Sequence, residues 1–222
     1  MTGVISEKQR MLNDALHRQN SSFGNRDDAA GLAANLPSAI NELHNKGFCK
    51  SILDYGTGKG SLVRRLKSEL PDTITVCGYD PAVDEFKVRP SVTFDILTCL
   101  DVLEHVDLDS IDEVLRDIHA LTKNLCYVVI DLQPAVKTLA DGRNAHILLA
   151  PPEWWISRFN QLFPCITAFP IYHTSGYMQK LVIGAAHGPA FLMPLYEFMI
   201  RLKLFKIVMA GGILGKIGNN RA

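Results

Sequence analysis

A chain of 222 residues and 24.6 kDa can bury one substantial core and is too short for two comfortable domains. Its apolar fraction of 47% excludes wholesale disorder, and 23 basic residues against 23 acidic ones leave no overall field to gather a polyanion.

In chain order, Ser6 to about Arg18 has helical spacing, and the polar stretch NSSFGNRDD follows as a connection. A second helix is predicted over Leu36 to Asn45, ended by Gly47. Both precede the first strand, so residues 1–50 read as a helical cap over a pocket. From Ser51 the pattern becomes short apolar runs alternating with helical ones. SILDY is a strand, and SLVRRLKSEL is a helix packed through Leu62, Val63, Leu66 and Leu70. TITVCGYD and Phe94 to Leu100 are further strands. DLDSIDEVLRDIHAL is a helix with an apolar stripe of Ile111, Val114, Leu115 and Ile118, and NLCYVVID is the next strand. Nearly continuous apolar strands separated by helices indicate a sheet covered on both faces. The expected fold class is therefore α/β, a doubly wound, mostly parallel, Rossmann-like sheet over residues 51–187. The interval from Pro81 to Pro90 is too short for a crossover helix and another full strand, which needs about 30 residues. A strand there is abbreviated, or is reached through irregular chain.

After Ala135 a loop leads to a helix starting near Pro152, and CITAFPIY and YMQKLVIGAA pair as an antiparallel C-terminal hairpin across HTSG. Residues 188–222 form a basic, apolar helical tail with Arg201, Lys203, Lys206, Lys216 and Arg221 against Glu197. It has no apolar run of spanning length. Packing on the domain or on a second subunit is favoured over a peripheral membrane contact. Cys49, Cys77, Cys99, Cys126 and Cys165 stand singly, without metal spacing, and read as buried thiols of a reducing compartment. The N-terminus has no apolar run of signal-peptide length, so a cytoplasmic location is expected.

The stretch SILDYGTGKG carries the chemistry. Asp54 ends a strand, and Gly56, Gly58 and Gly60 let the chain turn sharply and bring bare backbone against a ligand before a helix begins. The spacing is not that of a Walker loop, so Lys59 is not a phosphate lysine. It also departs from the dinucleotide triplet, which disfavours an oxidoreductase. Asp80 closes the next strand, where an acid can hold ribose hydroxyls. The ordered set of Asp54 with the three glycines, Asp80 in GYDP, and Phe94 to Val106 (FDILTCLDVLEHV) resembles the class I S-adenosylmethionine-dependent methyltransferases. The likeness runs over roughly Ile52 to Ile183. It implies a glycine loop carrying the methionyl part of the cofactor, Asp80 on the ribose, and Asp101 flanking the pocket.

Methyl transfer requires an acceptor aligned behind a sulfonium methyl and a group that removes its proton. His105, His146 and Glu104 are the catalytic candidates. Two carboxylates and two imidazoles in one cleft, Asp101, Glu104, His105 and His146, also suit Mg2+ or another divalent ion. DVLEH with His146 is similar to the Glu-x-x-Glu-His set and distant His that hold magnesium in small-RNA 3′-terminal ribose methyltransferases, with Asp101 in place of the first Glu. Ubiquinone-pathway O-methyltransferases share a VLEHV segment. Alternatively, Glu104 and His105 cap the next helix or bond the glycine loop. Arg143 and Asn144 are candidates for an anionic substrate, and Trp154 and Trp155 for a stacking wall. Acids crowded between Asp95 and Asp117 disfavour RNA and favour a small hydroxyl-bearing molecule such as a saccharide, lipid precursor or phenol. The competing accounts are a metal-assisted RNA ribose methyltransferase and a non-catalytic cofactor-binding scaffold.

Overall fold

A computed structural model describes residues 4–21, 23–24 and 31–203. Among these the strands form one six-stranded sheet in the order β2-β1-β3-β4-β6-β5. Its strands are β1 (Ser51–Tyr55), β2 (Thr75–Tyr79), β3 (Phe94–Leu100), β4 (Thr122–Asp131), β5 (Cys165–Tyr172) and β6 (Met178–Ala186). The first four pair in parallel, and β6 and β5 close the sheet as an antiparallel hairpin. The chain leaves β1 on one side to make β2 and returns on the other to make β3. The carboxyl ends of β1 and β3 therefore flank the switch point where α/β sheets bind ligands.

Adjacent strand residues point to opposite faces, and both faces are apolar. Ile52, Ile96, Tyr127, Val129 and Val182 face α2 (Leu36–Asn45), α3 (Ser61–Glu69) and α6 (Leu192–Arg201). Leu53, Leu97, Cys126, Val128 and Ile183 face α4 (Leu108–Leu121) and α5 (Pro152–Leu162). Pro37 in its first turn suits α2, because the missing amide would have had no intrahelical partner. Leu195, Phe198 and Met199 of α6 are buried, and a Cβ on Gly184 of β6 would lie 2.8 Å from the Met199 sulfur. This part of the tail is thus packed on the domain. Lys206, Lys216 and Arg221 lie outside the described residues. No helix among the described residues is long and apolar enough to cross a membrane.

Residues 81–93 contain neither helix nor strand, so β2 is an edge strand. The next strand, β3, is thus reached through irregular chain. The irregular chain is folded back by the Asp80 amide donating to the Phe86 carbonyl (3.0 Å) and by Arg89 pairing with Asp117 at 2.6 Å. The two ends of the acidic stretch from Asp95 to Asp117 are structural. Asp117 also accepts from the Tyr55 hydroxyl, and Asp95 sits at the amino end of β3, away from the switch point, accepting from the Lys50 amide and pairing with Lys123. Burial pushes the Cys49 and Cys126 thiols up to about 12, as inert core thiols require.

The cap helix α1 (Glu7–Gln19) begins at Ser6, whose hydroxyl accepts from the Gln9 amide (3.1 Å). Gln9 is buried, and its side-chain amide donates to the His105 carbonyl at 2.9 Å. The cap is thereby tied to the segment after β3.

Candidate active site

A cavity of about 480 Å3 opens at the carboxyl ends of β1 and β3, within the range usual for small-molecule sites. The glycine turn forms one wall. Gly56 and Gly58 have φ of 73° and 54°, conformations that side chains resist. A Cβ on Gly56 would lie 2.4 Å from Val102 Cγ2, and one on Gly58 would lie 2.5 Å from the Gly24 carbonyl oxygen. The turn therefore needs glycine both for its backbone and for its neighbours. Gly60, the residue before α3, packs instead against Phe86 and does not line the cavity. Asp54 is fully buried below the turn, where it accepts from the Thr98 hydroxyl at 3.0 Å; it does not line the cavity either. Lys59 is committed elsewhere, its ammonium donating to the Asn20 and Ser21 carbonyls.

Asp80 reaches the cavity from the end of β2. One carboxylate oxygen accepts from the Gly58 amide and the other from the Ala82 amide, both at 2.9 Å. These bonds lock the carboxylate to the glycine turn. A carboxylate oxygen can accept twice, so capacity for ligand hydroxyls remains.

The opposite wall carries the titratable groups. Asp101 sits directly after β3 with φ of 51°, unusual for a residue other than glycine. Its carboxylate accepts from Lys180 of β6 at 2.6 Å, and Lys180 also lies 3.3 Å from Asp131 at the end of β4. Burial disfavours the Lys180 charge, but Asp101, Asp131 and Glu104 outweigh it and raise its proton affinity. Glu104, in a short turn after β3, is wholly buried. Its Oε1 accepts from the Asp131 amide (3.1 Å), and its Oε2 has no hydrogen-bond partner among the described residues. Burial, reinforced by the nearby Asp101 charge, raises its pKa to about 8.

The His105 and His146 rings meet edge to face, 76° apart, with centroids 4.8 Å apart. Nδ1 of His105 contacts the Ala145 carbonyl (2.8 Å), and Nδ1 of His146 contacts the Gln133 carbonyl (2.5 Å). A carbonyl can only accept, so each neutral ring carries its proton on Nδ1 and presents a basic Nε2. One ligand atom from each of Glu104, His105 and His146 lies within 4.8 Å of the others. The orphaned Glu104 oxygen and the two carbonyl-anchored imidazoles fit a divalent cation. Asp101 is not in this group, because Lys180 holds its carboxylate.

The remaining residues singled out from sequence have other places. The Asn144 side chain clips the loop after β4, bonding both backbone groups of Ala135 and accepting from the His146 amide; it positions His146. Arg143 pairs with Asp141 (2.9 Å) and Asp107 (3.2 Å) at the surface. Trp155 is buried in the core, and Trp154 packs under Arg158 with the guanidinium 3.4 Å from its ring. None of these four lines the cavity. Among the cavity residues that sequence reading missed are His17, Phe23, Asp131, Gln133 and Gln179. Lys180, which organises the two acids, had a legible signal: it is the single charge in the otherwise uncharged strand MQKLVIGAA.

A parallel sheet with this reversed hairpin, a glycine turn after β1 and an acid after β2 define the class I S-adenosylmethionine-dependent methyltransferase fold. The family model described as a methyltransferase domain matches residues 11–171, and the chain belongs to that family. Comparison with curated proteins by sequence finds no match. Among solved structures, the chain is similar to DhpI in complex with S-adenosylhomocysteine (TM-score 0.52, 17% identity, 82% of this chain and 97% of that one). It is also similar to 1,6-didemethyltoxoflavin-N1-methyltransferase of Burkholderia thailandensis, bound to 1,6-didemethyltoxoflavin and S-adenosylhomocysteine (0.51, 16%, 81% and 88%). A third is the small RNA methyltransferase HEN1 (0.50, 16%, 70% of this chain but 25% of that one).

Proposed function

We propose that this methyltransferase moves the methyl group of S-adenosylmethionine to a hydroxyl oxygen of a small molecule. The observation that carries this reading is that one cavity joins the Gly56–Gly58 turn and Asp80 to the Glu104, His105 and His146 cluster. The turn and Asp80 suit the donor's methionyl and ribose parts. A hydroxyl is a poor nucleophile until its proton is taken up, and an imidazole lining the cavity, as His105 and His146 do, can meet that need. The His105 or His146 ring takes the acceptor proton as oxygen attacks the methyl carbon, and the carbon–sulfur bond breaks to leave the neutral thioether. The carbonyl bonds at Nδ1 hold each ring in the tautomer that can do so.

In a second mode, exclusive with base action by the same rings, Glu104, His105 and His146 would hold a divalent ion through the imidazole Nε2 atoms, and two imidazoles with one carboxylate favour a transition ion over magnesium. Bound there, it would lower the proton affinity of an acceptor hydroxyl. Apolar cavity residues such as Val4, Ile5, Phe23 and Val136 suit a compact, partly apolar acceptor better than a nucleic acid.

The test combines calorimetric binding of S-adenosylhomocysteine with a screen of phenols, saccharides and lipid precursors for methylated product, with and without Mn2+. The expected result is binding by the parent and by the His105→Ala and His146→Ala variants, with product lowered at least a hundredfold in the variants. No product from any hydroxyl acceptor, with intact cofactor binding, would favour a scaffold. Product from ribose-terminated RNA alone would favour the RNA enzyme.

A further inference from the structure

His17 belongs to the cap helix, outside every motif that marks the methyltransferase fold, yet it lies against the acid at the end of β2. Its Nε2 is 4.0 Å from Oδ2 of Asp80, and the two side chains are only 10% and 12% exposed. That separation is too long for a direct hydrogen bond. It is, however, the spacing of two groups that share one oxygen, because an atom about 2.8 Å from each fits between them. Nδ1 of His17 is buried and makes no well-aligned hydrogen bond among the described residues; the Phe23 carbonyl and the Asp80 carboxylate both favour a proton on the ring, and the carboxylate faces Nε2.

The ring is held in place from behind. The Phe23 ring packs on it at 4.7 Å, and a Cβ on Gly24 would come within 2.3 Å of its Cε1. Gly24 in turn accepts from the Lys59 amide at 2.7 Å, so the support of His17 is fastened to the glycine turn itself. At the other end of α1, Gln9 bonds the His105 carbonyl. His17 thus stands at a fixed distance from Asp80 across a gap of hydroxyl size.

We infer that His17 is a cofactor-binding residue: its Nε2–H donates to a ribose hydroxyl whose own proton goes to Asp80. The inference rests on the S-adenosylmethionine reading above and extends the ribose site to the N-terminal helix. A hydroxyl can accept and donate at once, whereas a carboxylate or amide oxygen in the same gap would offer Asp80 no proton.

The experiment measures calorimetric affinities of the full chain for S-adenosylhomocysteine and for its 2′-deoxy and 3′-deoxy analogues, in the parent, His17→Phe and His17→Gln. Phenylalanine keeps the packing on Phe23 and has no donor; glutamine keeps a donor at similar reach. His17→Phe should weaken S-adenosylhomocysteine binding about tenfold, the worth of one neutral hydrogen bond. It should change affinity less than about twofold for the analogue lacking the bridging hydroxyl, and His17→Gln should recover most of the loss. Equal weakening toward all three ligands, or no weakening, would overturn the inference while leaving the cofactor reading intact. A parent chain that binds none of the three would remove both.

Discussion

Glu104 offers the most direct physical test of the site. Its carboxyl is wholly buried beside Asp101, with a folded pKa of about 8 against an ordinary value of 4.5. Below pH 4.5 the proton is bound in both folded and unfolded chains, and the group contributes no pH dependence. Between 4.5 and 8 the unfolded chain releases the proton and the folded chain keeps it, so stability falls as pH rises. Each pH unit in that window removes about 1.4 kcal/mol, which amounts to about 3 kcal/mol by pH 7. Glu104→Gln keeps the shape and cannot ionise. In urea unfolding with a chelator present, the variant should match the parent closely near pH 4.5 and exceed it by about 3 kcal/mol at pH 7. A difference that stays constant between pH 4.5 and pH 7 would show that the carboxyl titrates alike in both states, and the account of its burial would be wrong.

Gly58→Ala should abolish S-adenosylhomocysteine binding in calorimetry and lower stability by at least about 1 kcal/mol, since its Cβ meets the Gly24 carbonyl and its φ is positive. Lys180→Met should destabilise the chain by about 3 kcal/mol at neutral pH, read by thermal or urea unfolding, because Asp101 and Asp131 lose their shared counter-ion in a half-buried place. Adding Asp101→Asn should restore part of that loss. Asn144→Ala should lower turnover at least tenfold with cofactor affinity within about twofold, because it frees the loop that aims His146. Arg143→Ala, at an exposed ion pair, should change stability by less than about 1 kcal/mol.

Local rules carried much of the fold. The period of apolar residues marked each of the strands and helices, and a run such as YVVI, apolar on both faces, announced a covered sheet. The short interval after Pro81 left either an abbreviated strand or an irregular approach to the next one, and the second is what forms; the glycine turn with Asp80 pointed to the donor side of the cavity. Glu104 and His105 are neighbours in sequence, so their proximity was legible, and His146 joined them through its place after β4.

What lay beyond sequence was every relation set by distance across the fold. Trp154, Trp155 and Arg143 looked like pocket residues by type. Side-chain direction, decided by how α5 and the loop after β4 pack, sends them into the core and onto surface ion pairs. Asp101 looked like a metal ligand by spacing, but a lysine from a strand 79 positions later neutralises it. His17 carried no motif at all, because its meaning depends on where the cap helix lies against Asp80. Backbone pattern follows from residues close in the chain; the charge and direction of a buried side chain follow from neighbours that only packing brings near.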